Sequence, residues 1–181
     1  DSATGGPITI LEADDGGVEM YTSGTTGKPG GVVTSHLNIL SLATMNTQAM
    51  ASRPDAGSAG VICAPLFHIG GIGSMVACVY NGQHVLLHRT FEPNALLNDL
   101  ENYPVMSLFL VPAMIMALLQ TANVDKRDFS QLRQIFYGAA PISETLLRQA
   151  LAIFQCDFTQ MYGMTETTGT VISLSADDHR E

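Results

Sequence analysis

The sequence contains no tryptophan, three cysteines and only eight lysines and arginines in 181 residues. Aspartate and glutamate outnumber the basic residues at 17, for a formal net charge of −9. Proteins that bind nucleic acid or anionic membranes through a broad field carry the opposite sign, so both are set aside as partners. Any phosphate this chain meets must be held locally, by backbone N–H groups, hydroxyls and a metal ion. Cys63, Cys78 and Cys156 are odd in number and scattered. They make no disulfide framework and read as small apolar fillers in a reduced compartment. The uncharged stretch from Ala56 to His88 is interrupted by Gly57, Gly60, Pro65, Gly70, Gly71, Gly73 and Gly82, so no membrane-spanning helix is expected from it. Asp1 to Pro7 lacks a basic start and an apolar core, so no leader peptide is expected and the protein is placed in the cytoplasm. No Gly-x-Ser-x-Gly elbow occurs, which argues against an α/β-hydrolase.

What is present is ample core material, with 46% hydrophobic residues in a length suited to one domain. Strand-like and helix-like stretches alternate. Val18–Tyr21 and Val32–Thr34 read as strands around a loop, and Ser35 is placed to cap a helix running to about Ala51. Val61–Ala64 is a strand stopped by Pro65, and Ile72–Tyr80 a helix closed by Asn81-Gly82. Gln83–Leu87 is a strand, and Pro93–Tyr103 a helix with Leu96, Leu97 and Leu100 on one face. Ser107–Val111 is a strand before a helix opened by Pro112, and Gln134–Tyr137 another strand. Ser143 caps a helix over Glu144–Phe154, and Asp157–Tyr162 and Thr170–Leu174 close the series as strands. The succession predicts an α/β fold, a mostly parallel sheet with helices on both faces. Residues 1–17 read as a partial start and 18–181 as one subdomain.

In such a sheet ligands gather at loops beyond the carboxyl ends of strands. Thr22–Gly31, Pro65–Gly71, Gly138–Pro141 and Gly163–Glu166 are the loops of unusual composition. The first, Thr22-Ser23-Gly24-Thr25-Thr26-Gly27-Lys28-Pro29-Gly30-Gly31, combines hydroxyls, glycines and one lysine. That mixture suits an oxyanion, because glycines let N–H groups turn inward. It is not a Walker A loop: two residues separate Gly24 from Gly27, and Pro29 follows Lys28 where a hydroxyl is required. In the last loop Glu166 can supply one of the one or two carboxylates that Mg²⁺ bound to phosphates wants, and Tyr162 a ring for stacking. Taken alone, Thr165-Glu166 is equally well a helix cap. Cys78, His84 and His88 fit no zinc spacing.

These motifs together resemble the adenylate-forming acyl-CoA synthetases, the superfamily that also holds coumarate ligases, luciferases and peptide-synthetase adenylation domains. Tyr21–Gly31 resembles the family's phosphate loop and Tyr162-Gly163-Met164-Thr165-Glu166 its second signature, with Pro65-Leu66-Phe67-His68 and Gly138-Ala139-Ala140-Pro141 between them in order. The resemblance implies that Thr22, Ser23, Gly24, Thr25, Thr26, Gly27 and Lys28 wrap the β- and γ-phosphates of ATP. It implies Thr22 and Glu166 around Mg²⁺, Thr165 on the α-phosphate, and Gln160, Met161 and Tyr162 framing the adenine. Gly138, Ala139 and Ala140 would line the boundary of adenine and acyl group, and His68 and Ile69 the junction of acyl pocket and nucleotide. The activity implied is ATP-dependent activation of a carboxylic acid, a fatty acid in the first instance, as its acyl-adenylate. Transfer to coenzyme A follows, in a cytoplasmic protein expected as a homodimer. The alternatives are transfer to a carrier protein, and a nucleotide-binding remnant without catalysis. No tryptophan stands in His68–Ile72, where some long-chain enzymes place a gate, so chain length stays open.

The sequence departs from the family in two ways. Gly30 stands where the family carries a second lysine. The chain also covers only the family's central part. The N-terminal segment, the ribose-binding aspartate, the hinge and the small domain with the catalytic lysine fall outside it, so it is not expected to turn over alone.

Overall fold

The computed structural model describes residues 10–23, 27–50 and 52–179. Gly24, Thr25 and Thr26, three of the expected phosphate-binding residues, lie outside the described residues. Strands β1 (Gly16–Thr22) and β2 (Gly30–Ser35) pair antiparallel, with Thr22 opposite Gly30, so the hydroxyl-rich loop is the tip of a hairpin. Helix α1 (His36–Gln48) follows at once. Ser35 Oγ accepts the Asn38 N–H at 3.3 Å and Asn38 Oδ1 accepts the Ser35 N–H at 3.3 Å, a reciprocal cap that satisfies two otherwise orphaned donors.

The main sheet comprises β3 (Ala59–Ile62), β4 (His84–Leu87), β5 (Val105–Leu110), β6 (Gln134–Gly138), β7 (Asp157–Met164) and β8 (Gly169–Leu174). Their spatial order is β4-β3-β5-β6-β7-β8, parallel throughout except that β8 returns antiparallel to β7. The chain leaves β3 toward β4 on one side and continues to β5 on the other. Strand order therefore reverses at β3/β5, and a crevice opens beyond the carboxyl ends of these two strands.

Helices α3 (Pro93–Asn102), α4 (Pro112–Leu119) and α5 (Glu144–Phe154) cover one face. Leu96, Leu97 and Leu100, Ile115 and Leu118, and Ala150 and Phe154 join Leu108, Leu110, Ile135 and Tyr137 in one buried cluster. Helix α2 (Ile69–Tyr80) lies on the opposite face against β3, β4, β5 and β8, with α1 stacked on it. Among the described residues no helix is long and apolar enough to cross a membrane.

Two differences from the sequence reading have physical causes. The first two strands do not extend the main sheet; they satisfy each other across a short loop as a separate two-stranded sheet. Helix α2 begins at Ile69, three residues before Ile72, running through Gly70-Gly71. A Cβ on Gly71 would stand 2.1 Å from the Pro65 carbonyl oxygen, so the glycine marks close packing of the first helical turn and not a break. Gly71→Ala should therefore lower the urea midpoint by the equivalent of about 1–3 kcal/mol with an unchanged m-value. At Gly73 the added methyl meets only the tip of Leu42 at 3.0 Å, so Gly73→Ala should cost less. Equal midpoints for the two variants would contradict the packing at Pro65.

Candidate functional site

Thr22 closes β1, and Glu166 sits in a 3-10 turn (Thr165–Thr167) between β7 and β8. Across 144 residues of sequence separation the Thr22 hydroxyl donates to Glu166 Oε1 at 3.2 Å. One hydroxyl and one exposed carboxylate, at the root of the hydroxyl- and glycine-rich loop, form a donor set that suits Mg²⁺ held mainly by phosphate oxygens and water. Among the described residues no group of three or more histidines, cysteines, aspartates or glutamates is gathered for a metal.

The turn carrying Glu166 is built by its neighbours. Thr167 Oγ1 accepts the Met164 N–H at 3.0 Å and lies 2.8 Å from the Gly169 carbonyl, so the capping that the sequence alone allows Thr165 is done by Thr167. The Thr165 hydroxyl has no protein partner among the described residues and borders a cavity. Gly163 is required because a Cβ there would lie 1.8 Å from the Gly169 carbonyl oxygen, where β7 and β8 cross closely.

At the end of β6, Gly138 lies opposite Met161, and a Cβ on it would stand 2.2 Å from the Met161 carbonyl oxygen. Ala139 then takes φ +66°, a left-handed conformation that costs an L-residue energy and is kept where surroundings over-determine it. His68 caps α2 by position without a side-chain bond, its ring 4.5 Å from that of Phe67.

Between the sheet and the α1–α2 pair is a cavity of about 590 Å³, within the range of small-molecule sites. Of the residues expected to hold ligand, His68, Ile69, Ala139, Met161 and Thr165 border it, as does Met164. Ser23, Gly27, Lys28 and Tyr162 are exposed outside it, as is Ala140, and Gln160 is half-buried on β7. Cys78 borders the cavity, and burial pushes the thiols of Cys63 and Cys78 up to about 11, so neither supplies a thiolate at neutral pH. His88 Nε2 instead lies 2.5 Å from Asp99 Oδ2, a pairing between the end of β4 and α3.

Sequence reasoning missed five polar residues on the cavity wall: Asn46, Ser74, Gln83, Ser107 and Thr170. Ser107 carried a readable signal, as the lone hydroxyl in the strand Val105–Leu110. Asn46 and Gln83 carried none, since a helix amide and a turn amide are ordinarily solvated.

The profile of the AMP-binding enzyme family matches residues 3–181. The chain belongs to that family. The AMP-binding enzymes it resembles include a fatty acid–[acyl-carrier-protein] ligase of Streptomyces coeruleorubidus, 35% identical over 89% of this chain and 31% of the relative. A 4-coumarate–CoA ligase of Oryza sativa subsp. japonica is 35% identical over 93% of this chain and 30% of the relative. Among solved structures, o-succinylbenzoate–CoA synthetase of Bacillus subtilis, in complex with ATP and magnesium ion, superposes with TM-score 0.82. It is 31% identical, over 94% of this chain and 35% of that one. The chain therefore spans about a third of the length of the AMP-binding enzymes it matches, and its relatives are adenylate-forming acid ligases.

The geometry predicts how two substitutions behave. Thr165→Val removes a hydroxyl with no protein partner, so the melting temperature should hold while turnover falls; a large drop in melting temperature would mean a capping role. At Gly30 an added Cβ would stand 3.6 Å from Thr22 Oγ1, ordinary contact beside the Thr22–Glu166 pair. Gly30→Lys should keep the fold and tighten Mg-ATP binding about ten- to a hundredfold, the worth of one charge-assisted contact. Unchanged affinity by calorimetry would show that position 30 does not reach the nucleotide.

Proposed function

We propose that this chain is the central nucleotide- and acid-binding subdomain, residues 18–181, of a longer AMP-forming acid–thiol ligase. It works in the cytoplasm as a homodimer. Its parent activates a carboxylic acid, of which a fatty acid is the first candidate, as an acyl-adenylate and passes the acyl group to coenzyme A. The observation that carries the reading is the Thr22–Glu166 hydrogen bond, which ties the phosphate-type loop to the mouth of a cavity walled mainly by hydrocarbon.

A carboxylate is a poor electrophile. One of its oxygens attacks the α-phosphorus of ATP, the bond to pyrophosphate breaks, and the carbonyl gains a good leaving group. The thiol of coenzyme A then attacks that carbonyl carbon and AMP departs. In this reading the loop N–H groups, the hydroxyls of Thr22 and Ser23, and Lys28 hold the departing phosphates. The Thr165 hydroxyl donates to the α-phosphate as its charge builds, where a fixed donor is worth most. Thr22 and Glu166 would hold Mg²⁺, which withdraws negative charge from the phosphate oxygens when bound. Gly138 and Met161 give the adenine a flat backbone edge beside Gln160, with Tyr162 available to stack. Ala139 and Ala140 leave room where acyl group and nucleotide meet, and His68 and Ile69 stand at that junction.

The test is carboxylate-dependent ATP–pyrophosphate exchange on the full-length parent, with short, medium, long and aromatic acids. Exchange with one class is expected. In the same assay Glu166→Gln should raise the Mg²⁺ requirement and lower the rate about 10²-fold or more; an unchanged rate and Mg²⁺ dependence would remove Glu166 from the site. Silence with every acid while Mg-ATP still binds would favour the nucleotide-binding remnant. The identity with a fatty acid–[acyl-carrier-protein] ligase favours one second reading, a carrier-protein phosphopantetheine thiol as acceptor. Product formation with holo carrier protein but not with coenzyme A would decide for it.

A further inference from the structure

The cavity has two unlike ends. Its mouth is level with Gly138 and Met161, which pair across β6 and β7. Its far end is level with Ser107, which pairs with Gln134, four residues earlier on β6. At about 3.3 Å per residue the two levels are about 13 Å apart. Phe109 and Phe136 form the wall between them and bind only through hydrocarbon.

The far end is closed by polar ties. Gln134 Nε2 donates to the Ala49 carbonyl at 3.1 Å, joining α1 to the sheet. Asn81 Nδ2 donates to Thr47 Oγ1 at 2.8 Å, joining α1 to the end of α2. Beside these ties stand hydrogen-bonding groups that the fold does not use. Gln83 Nε2 donates to Ser58 Oγ at 3.3 Å and to the Ala59 carbonyl at 3.4 Å. A carbonyl only accepts, so the amide orientation is fixed and Gln83 Oε1 is turned to the opposite side, near Gly60. Oε1 has no partner among the described residues. Neither does the hydroxyl of Ser107, although Ser107 lies inside a central strand of the sheet, half-buried and bordering the cavity. Asn46, also on the wall, keeps a buried Oδ1 with no partner. Unused acceptors are costly inside a protein, and a pocket meant for a plain hydrocarbon tail has no use for them.

We propose that the acid taken by this site ends, opposite its carboxyl group, in a hydrogen-bond donor, a hydroxyl or an amide N–H. Gln83 Oε1 and Ser107 Oγ bind that group at the cavity floor, with Asn46 beside them. This rests on the adenylation reading and narrows its substrate from a simple fatty acid to one with polar groups at both ends. The span fixes the length. Four strand residues are twelve backbone bonds, and an alkyl chain, slightly more extended per bond, covers about 13 Å in about ten.

The experiment compares acids of equal length that differ only at the tip: 10-hydroxydecanoate against undecanoate and 8-hydroxyoctanoate against nonanoate, by pyrophosphate exchange on the full-length parent. A site built around a substrate hydroxyl rejects the analogue lacking it, so kcat/KM should favour the better hydroxy acid at least tenfold over its methyl counterpart. Ser107→Ala should bring that ratio toward one by raising KM for the hydroxy acid with little change in its kcat, as loss of binding remote from the reacting atoms does. Gln83→Leu should do the same, and if it fails to fold Ser107→Ala decides alone. Exchange with undecanoate or nonanoate equal to that of the hydroxy acid would overturn the proposal and leave adenylation standing, as would a ratio that Ser107→Ala does not move. Silence with all four acids and with every other carboxylate class would overturn the adenylation reading beneath it.

Discussion

The site exists because five parallel strands deliver their carboxyl ends to one edge. A parallel strand needs a crossover to return, so each turn at that edge is free of hairpin geometry and can carry residues chosen for a ligand. Reversal of strand order at β3/β5 keeps α2 and α3 from closing over the gap between them, and the cavity opens there. Only β8 breaks the pattern, and its return beside β7 creates the short 3-10 turn that holds Thr165 and Glu166 at the same edge. The hairpin β1–β2 belongs to no part of this sheet, yet the Thr22–Glu166 hydrogen bond brings its tip to that edge. Loop and sheet meet through a pair of groups that a cation and phosphates would separate and bridge.

Close approach at the edge is enforced by the absence of side chains. Gly71, Gly138 and Gly163 each face a carbonyl oxygen nearer than a Cβ allows. They hold respectively the start of α2 against Pro65, β6 against the Met161 peptide, and β7 against β8. Each glycine thus fixes the position of a neighbouring element of the candidate site: His68 and Ile69, Met161, and Thr165 with Glu166. Backbone is the stiffest part of a protein, and a site registered by backbone contact keeps its geometry as side chains exchange rotamers. The left-handed Ala139 fits the same scheme, since a residue held at positive φ needs firm structure on both sides.

The elements were legible where local chemistry dominates. The cap at Ser35, the proline starts of α3 and α4, the cap at Ser143 and the apolar strands are all signals within a few residues. The four loops of the candidate site stood out for the same reason, by composition. What the sequence concealed depends on partners distant in the chain. Gly70-Gly71 reads as a helix breaker until Pro65 stands beside it. The separate pairing of the first two strands follows from what they do not contact. The polar floor combines α1, the turn before β4 and the middle of β5, and no local pattern links Asn46, Gln83 and Ser107.

Charge sets the remaining constraint. With net −9, the protein's far field repels a polyphosphate, so attraction must arise inside about 8 Å, the distance over which physiological salt leaves a charge unscreened. Lys28 is the one cation the hairpin loop contributes, and Gly30 withholds the second that the family pattern carries. Under the proposed function, a loop of this composition would depend on N–H groups and hydroxyls, which act only at contact, and on a divalent cation for the missing positive charge. If the proposed function holds, the dependence on Mg²⁺ should be steeper here than in a relative with both lysines, because the metal would supply charge that the polypeptide lacks. Binding then discriminates by geometry more than by charge, which suits a site whose parts are held by backbone contact.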